Sequence, residues 1–182
     1  MNDKQPLPDI RRIVTGDDVK GISRIVEDAP ASSMRMVPAR PGYRAVNVWR
    51  TDQTPARITG QDTTPSHQGI LPPRNGTILR VIDFPPEPQD ESELKRQLDS
   101  TFGGIYKDAL HDRRPGKHPG MHRTETVDYA IVLEGEIWAV MDEGETLLRA
   151  GDVLIQRGTN HAWANRSSRT ARIAFVLIDG QR

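Results

Sequence analysis

Five histidines occur in the 182 residues, and two of them stand in stretches dense with groups able to do chemistry. In HRTETVDYAIVLEGEIWAV, His122 is followed by Thr124 and then Asp128. In GDVLIQRGTNHAWANRS, His161 follows a Gly158 turn. Thr124 lies two positions after His122, so a strand would carry both on one face. Residues on separate strands of a barrel can point into one lumen, which gives His122, Asp128 and His161 a way to meet. Two imidazoles and a carboxylate form a recognised set for Fe(II), with positions left for water and substrate. Zinc also accepts two nitrogens and an oxygen. His118, four residues before His122, is a further candidate ligand. The expected cofactor is one divalent metal (Fe, Zn, Mn or Ni) or none. Without metal, a histidine near its ordinary pKa exchanges protons near neutrality. Asp128 would then orient it or act as partner acid or base, and Thr124 would hydrogen-bond a substrate oxygen. The bland alternative is a satisfied polar network with no catalytic duty.

Neighbouring residues carry subsidiary expectations. Trp138 and Trp163 are candidates to line a pocket for an apolar or aromatic ligand. Phe102 and Tyr106 would cover that pocket if the loop before His122 closes. Arg157 is placed to meet a carboxylate at a barrel mouth or, equally, to face water. Tyr129 and Arg123 alternate away from Asp128 and His122. Asn165 would fix the turn after His161. His67 and His111 read as surface histidines, and Arg113-Arg114 as a solvated charge pair.

These residues need strands to hold them. Arg11–Gly16 and Ile22–Pro30 suggest two short strands around a Gly/Asp turn, and Tyr43–Arg50 a third. Thr77–Phe84 suggests another, opened by Asn75-Gly76 and stopped by Pro85-Pro86. Glu91–Ser100 reads as a short helix with Leu94 and Leu98 four apart, Ser92 as its cap, and Phe102-Gly103-Gly104 as its end. From Asp128 onward, short strands separated by Gly135, Gly144, Gly151 and Gly158 follow one another to Ile178. The expectation is an all-β barrel or jelly roll with N-terminal strand extensions and one short helix. It divides into a flexible tail over 1–9, strands and loops over 10–90, a helix and possible lid over 91–115, and the barrel core over 116–182. The N-terminal strands would pair with the barrel's own sheet or with a second subunit's, protecting an edge and making a homodimer an expected state.

Composition excludes several classes. There is no cysteine, so disulfides, thiolate metal sites and cysteine nucleophiles are ruled out. The 25 basic residues balance the 25 acidic ones, and HDRRPGK has no interleaved aromatics, so no nucleic-acid partner is expected. MNDKQPLPDI has no apolar signal core, and no apolar run spans a bilayer. A cytoplasmic protein with a small-molecule substrate and no membrane partner is the expectation.

The two histidine blocks resemble the paired motifs of the cupin family, in the form of a small single-domain cupin. Gly116, His122, Asp128 and Gly135 match the spacing of the first motif. Gly151, Asp152, Gly158, His161 and Asn165 match the second. Thr124 stands at the family's second histidine, Asp128 at its glutamate and Gln156 at its proline, and the Gly151–Gly158 run is one residue short. The resemblance implies a cupin-type double-stranded β-helix. It carries over only His122, His161 and a shortened carboxylate, Asp128, from a metal set of three histidines and a glutamate. It leaves three functions open: a metal-assisted lyase (decarboxylase or dehydratase) on a small oxygenated or aromatic substrate, an Fe(II)-dependent dioxygenase, and a non-catalytic metabolite-binding or sensor domain.

Overall fold

The computed structural model describes residues 6–182. The N-terminal half supplies β1 (Arg11–Asp17), β2 (Ser23–Pro30), β3 (Ser33–Met36), β4 (Arg44–Thr51) and β5 (Thr77–Phe84). Helix α1 (Glu91–Gly104) follows, then β6 (Leu110–His111) and β7 (His122–Arg123). The C-terminal half gives β8 (Thr126–Glu134), β9 (Glu136–Met141), β10 (Glu145–Arg149), β11 (Val153–Arg157), β12 (His161–Ala164) and β13 (Ala171–Asp179). They form a six-stranded sheet, β11-β8-β13-β5-β4-β3, and a five-stranded sheet, β10-β9-β12-β7-β6. Every pairing is antiparallel. This is the all-β jelly-roll barrel, with one α-helix added.

Period-two alternation builds the core. In β5, Ile78, Ile82 and Phe84 are buried together with Arg80. In β8, Thr126, Asp128, Ala130 and Val132 face inward while Val127, Tyr129 and Leu133 are exposed. Facing them across the lumen are Ile137, Ala139 and Trp163, and the two sets pack as one apolar cluster. Gly135 makes the β8–β9 turn at φ 74°, and a Cβ there would lie 3.0 Å from the Ala171 Cα and the Thr170 carbonyl oxygen. Only glycine meets both demands without strain.

Several elements differ from the expectation. β1 and β2 pair with one another and with no strand of the barrel, whereas β3, β4 and β5 make half of the larger sheet. A register shift between Asn47 and Trp49 breaks the alternation of β4, so Ala45 is buried and Trp49 lies half-exposed under the Arg12 guanidinium, 5.4 Å from it. Asp90, not Ser92, caps α1 by accepting from the Glu93 N–H at 2.8 Å. The helix also runs through Phe102 to Gly104. Burial of Leu98, Thr101 and Phe102 holds its last turns against the barrel, which outweighs the poor propensity of two terminal glycines. Within the expected tail, residues 1–5 lie outside the described residues. Residues 7–9 are tied down: Arg44 and Arg172 donate to the Leu7 and Pro8 carbonyls, and Arg44 pairs with Asp9. Among the described residues, no helix is long and apolar enough to cross a membrane.

Candidate functional site

β7 and β12 place His122 directly opposite His161 in the register. Their rings lie 4.3 Å apart, both buried. Each Nδ1 is tied to a backbone carbonyl: His122 to Gly120 at 2.9 Å and His161 to Thr159 at 3.0 Å. Carbonyls only accept, so each Nδ1 carries the proton and each Nε2 holds a lone pair. Among the described residues no protein group bonds either Nε2. Burial pushes His122 down to about 3, helped by the neighbouring His161, and pushes His161 down to about 4. Both imidazoles are therefore neutral at physiological pH.

Asp128 lines the same cavity from β8. Its buried Oδ1 has no hydrogen-bond partner among the described residues. Burial raises the carboxyl to about 6, opposed by the Thr126 hydroxyl and the Arg80 charge. Thr124 also lines the cavity, and its hydroxyl is engaged with Thr126 Oγ1 at 2.8 Å. Trp163 forms part of the wall, edge-on to Phe175 at 5.2 Å and to His161 at 5.8 Å. Phe102 and Tyr106 close one side, Phe102 tilted over His122 at 4.9 Å. The space they line is about 60 Å³, room for a few waters.

Other expected residues lie elsewhere. Trp138 packs under the Arg166 guanidinium at 5.2 Å and does not line the cavity. Arg157 is exposed and faces a groove beside Met141 and Thr159, because the one-residue alternation of β11 turns it outward beside buried Gln156. His118 is spent on other partners: Nε2 meets Glu87 Oε1 at 3.0 Å and Nδ1 accepts from the Gly120 N–H. Among the described residues, no three His, Asp or Glu side chains come together in a group able to hold a metal. His122 and His161 sit side by side on the smaller sheet, while Asp128 stands on the larger one. The three-ligand metal set expected from the sequence is not assembled.

Of the two histidines expected at the surface, His111 is half-buried and His67 is buried. His111 stacks on Phe102 at 4.2 Å and bonds the Pro119 carbonyl at 2.8 Å. His67 is 4% exposed. Asn165 does fix the turn after β12, donating to the Phe84 and Arg169 carbonyls and accepting from Ser167.

Sequence reasoning missed Arg40, Tyr43 and Arg80, all in the cavity wall. Arg80 is 2% exposed; Nε donates to Asn47 Oδ1 and Nη2 to the Gly69 carbonyl, while buried Nη1 has no partner. The signal was available, because Arg80 falls in the apolar series Ile78, Ile82, Phe84. Tyr43 and Tyr106 share a 3.1 Å hydroxyl contact, and burial lifts the Tyr43 phenol well above its ordinary pKa.

The histidines make an acid-stability prediction. Their folded pKa values are depressed, so their contribution is present above about pH 6.5 and is lost as pH falls toward 4 and 3. Asp128 works the other way, easing between about 6 and 3.8. Two histidines outweigh one carboxyl, so stability falls below pH 6. Denaturant titrations of a His122→Gln, His161→Gln variant should show a clearly shallower fall; an unchanged slope would mean these rings do not govern it.

The fold and site together define a two-sheet β-barrel that encloses a small, mostly apolar chamber with a few buried polar groups. A Cupin domain family model matches residues 110–178. Phomopsin biosynthesis cluster protein C' of Diaporthe leptostromiformis is 31% identical, over 96% of this chain and 82% of that protein. The cupin-domain-containing oxidoreductase fogC of Aspergillus ruber is 25% identical, over 97% and 77%. A Cupin 2 conserved barrel domain protein from Salinispora arenicola superposes on 79% of this chain and 82% of its own, at 13% identity and a TM-score of 0.41. The chain belongs to the cupin family.

Proposed function

We propose that the barrel is a lyase-type enzyme that moves a proton on a small oxygenated substrate, with dehydration as the favoured outcome. One observation carries this reading: two buried imidazoles with free Nε2 atoms share a small cavity with a buried, unpartnered carboxyl. One Nε2 removes a proton from carbon next to a carbonyl. Protonated Asp128 gives its proton to the departing hydroxyl, which leaves as water as the C–O bond breaks and the C=C bond forms. The Tyr106 hydroxyl stands in the wall where developing enolate charge would be held. The small chamber favours a compact substrate, and Trp163 and Phe102 favour a flat one.

The test is solvent-deuterium incorporation into a panel of small β-hydroxy carbonyl compounds. Exchange in the parent, reduced about 10²- to 10⁴-fold in His161→Gln, and water loss reduced to the same degree in Asp128→Asn, are expected. Since the acid form of Asp128 is needed, kcat/KM should fall about tenfold per pH unit above about pH 6. Compounds that bind and never exchange would sink the proposal.

The names of the related cupins favour a second reading, an oxidoreductase. A redox metal would have to be held in this cavity by His122 and His161 without a third protein carboxylate or imidazole. Elemental analysis after anaerobic purification separates the two. Exchange that survives chelation with substoichiometric metal is the expected result; stoichiometric iron that is lost in His122→Gln would favour the oxidoreductase.

A further inference from the structure

A second cavity, of about 410 Å³, lies behind the histidine chamber, between the inner faces of β3, β4 and β5 and the segment after α1. Arg80 and Tyr106 stand in the walls of both. We infer that this second cavity is a binding site for a small organic acid, with Arg35, Arg80 and Lys107 as the cationic wall and His67 as a neutral nitrogen partner.

The charge balance comes first. Arg35, Arg80 and Lys107 meet there with one carboxylate, Asp108. Asp108 is already saturated by backbone: both its oxygens accept from the Ile70 N–H and one also accepts from the Leu71 N–H, at 2.9–3.0 Å. It shapes the loop and forms no ion pair with the three cations. The wall therefore keeps an excess of positive charge with no protein anion bonded to it.

The second observation is independent of charge. Arg80 and His67 are both more than nine-tenths buried, and each holds a nitrogen with no hydrogen-bond partner among the described residues, Nη1 and Nε2 respectively. A buried guanidinium N–H left without a partner is costly, so native proteins seldom keep one without a use. Asn47, the Gly69 carbonyl and the Tyr106 ring, 5.2 Å below the guanidinium, fix Arg80 in place. That is preorganisation for a ligand oxygen. Burial, together with the Arg80 and Arg50 charges, pushes His67 down to about 4, so it offers a neutral ring nitrogen. The volume falls in the range of small-ligand pockets, larger than a lone ion requires.

Carboxylate and phosphate share the recognising chemistry, and calorimetric titration with succinate and, separately, inorganic phosphate distinguishes them. Saturable one-to-one binding is expected, stronger for succinate. Lys107 is exposed, so Lys107→Glu will fold, and it should weaken binding by about tenfold or more. Arg35→Met should act in the same direction. His122→Gln, which touches only the histidine chamber, should leave the affinity unchanged. Failure of both anions to bind, binding indifferent to Lys107→Glu and Arg35→Met, or binding lost in His122→Gln would each overturn the inference. None of these outcomes depends on the reaction proposed for the first cavity.

Discussion

Asp128→Asn should yield a protein that is more stable than its parent at pH 8 and nearly inactive. The carboxyl is almost fully buried, and burial raises it from 3.8 to about 6. A raised folded pKa contributes stability that is fully present below about pH 3.8 and lost as pH rises through about 6. At pH 8 the folded chain therefore holds a desolvated carboxylate whose Oδ1 has no partner. Two pKa units correspond to about 3 kcal/mol. Asparagine removes the charge but leaves an amide to satisfy, so a gain of about 1–3 kcal/mol is expected. The advantage should shrink as pH falls from 6 to 4, where the parent's carboxyl is itself protonated. Denaturant unfolding at several pH values, read beside the rate of water loss from substrate, checks both halves. A lead over the parent that stays flat from pH 4 to 8 would contradict the assignment of strain to this carboxyl. Natural chains keep destabilising groups of this kind where the chemistry uses them.

The same residue shows what was legible in the sequence. Strand alternation puts His122 and Thr124 on one face, and the structure buries both, along with Asp128 on the inner face of β8. The turn glycines and the short strands after Asp128 gave the barrel, because both signals are local. The failures come from long-range effects. Whether β1 and β2 join the barrel or only each other depends on which edges are free, and the residues of a hairpin do not encode that. His118 looked available because its spacing from His122 is four; Glu87, 31 residues away, claims it. His67 looked like a surface residue because its neighbours are polar, yet it packs beside Arg80 in the wall of a second cavity. Arg80 itself could have been found, since an arginine within an inward apolar series must be bonded or used. Arg40 could not, because it reaches the lumen from outside any alternating pattern, whereas Tyr43 opens the expected Tyr43–Arg50 strand and shares the buried face of Ala45.

Asp83→Ala should cost about 3–5 kcal/mol, the largest loss expected from any single change on the outer face of the larger sheet. Arg44, Asp83 and Arg172 are cross-strand neighbours on β4, β5 and β13. Arg44 donates twice to Asp83 Oδ2, at 2.9 and 2.7 Å, and Arg172 donates to Oδ1 at 2.6 Å and Oδ2 at 3.0 Å. The Asp83 side chain is 5% exposed and the Arg172 side chain 9%. Alanine would leave two guanidiniums together with no anion between them, so repulsion adds to the lost bonds. The same guanidiniums hold the Leu7 and Pro8 carbonyls, so the N-terminal segment should become protease-sensitive together with the loss of stability. An Arg44→Met, Asp83→Leu, Arg172→Met variant should recover much of the loss, because three apolar side chains need no compensation for desolvation. If that variant is as unstable as Asp83→Ala, the network does more than neutralise itself: the contacts to residues 7–9 would then be what the fold requires, and the charges would be the means of making them.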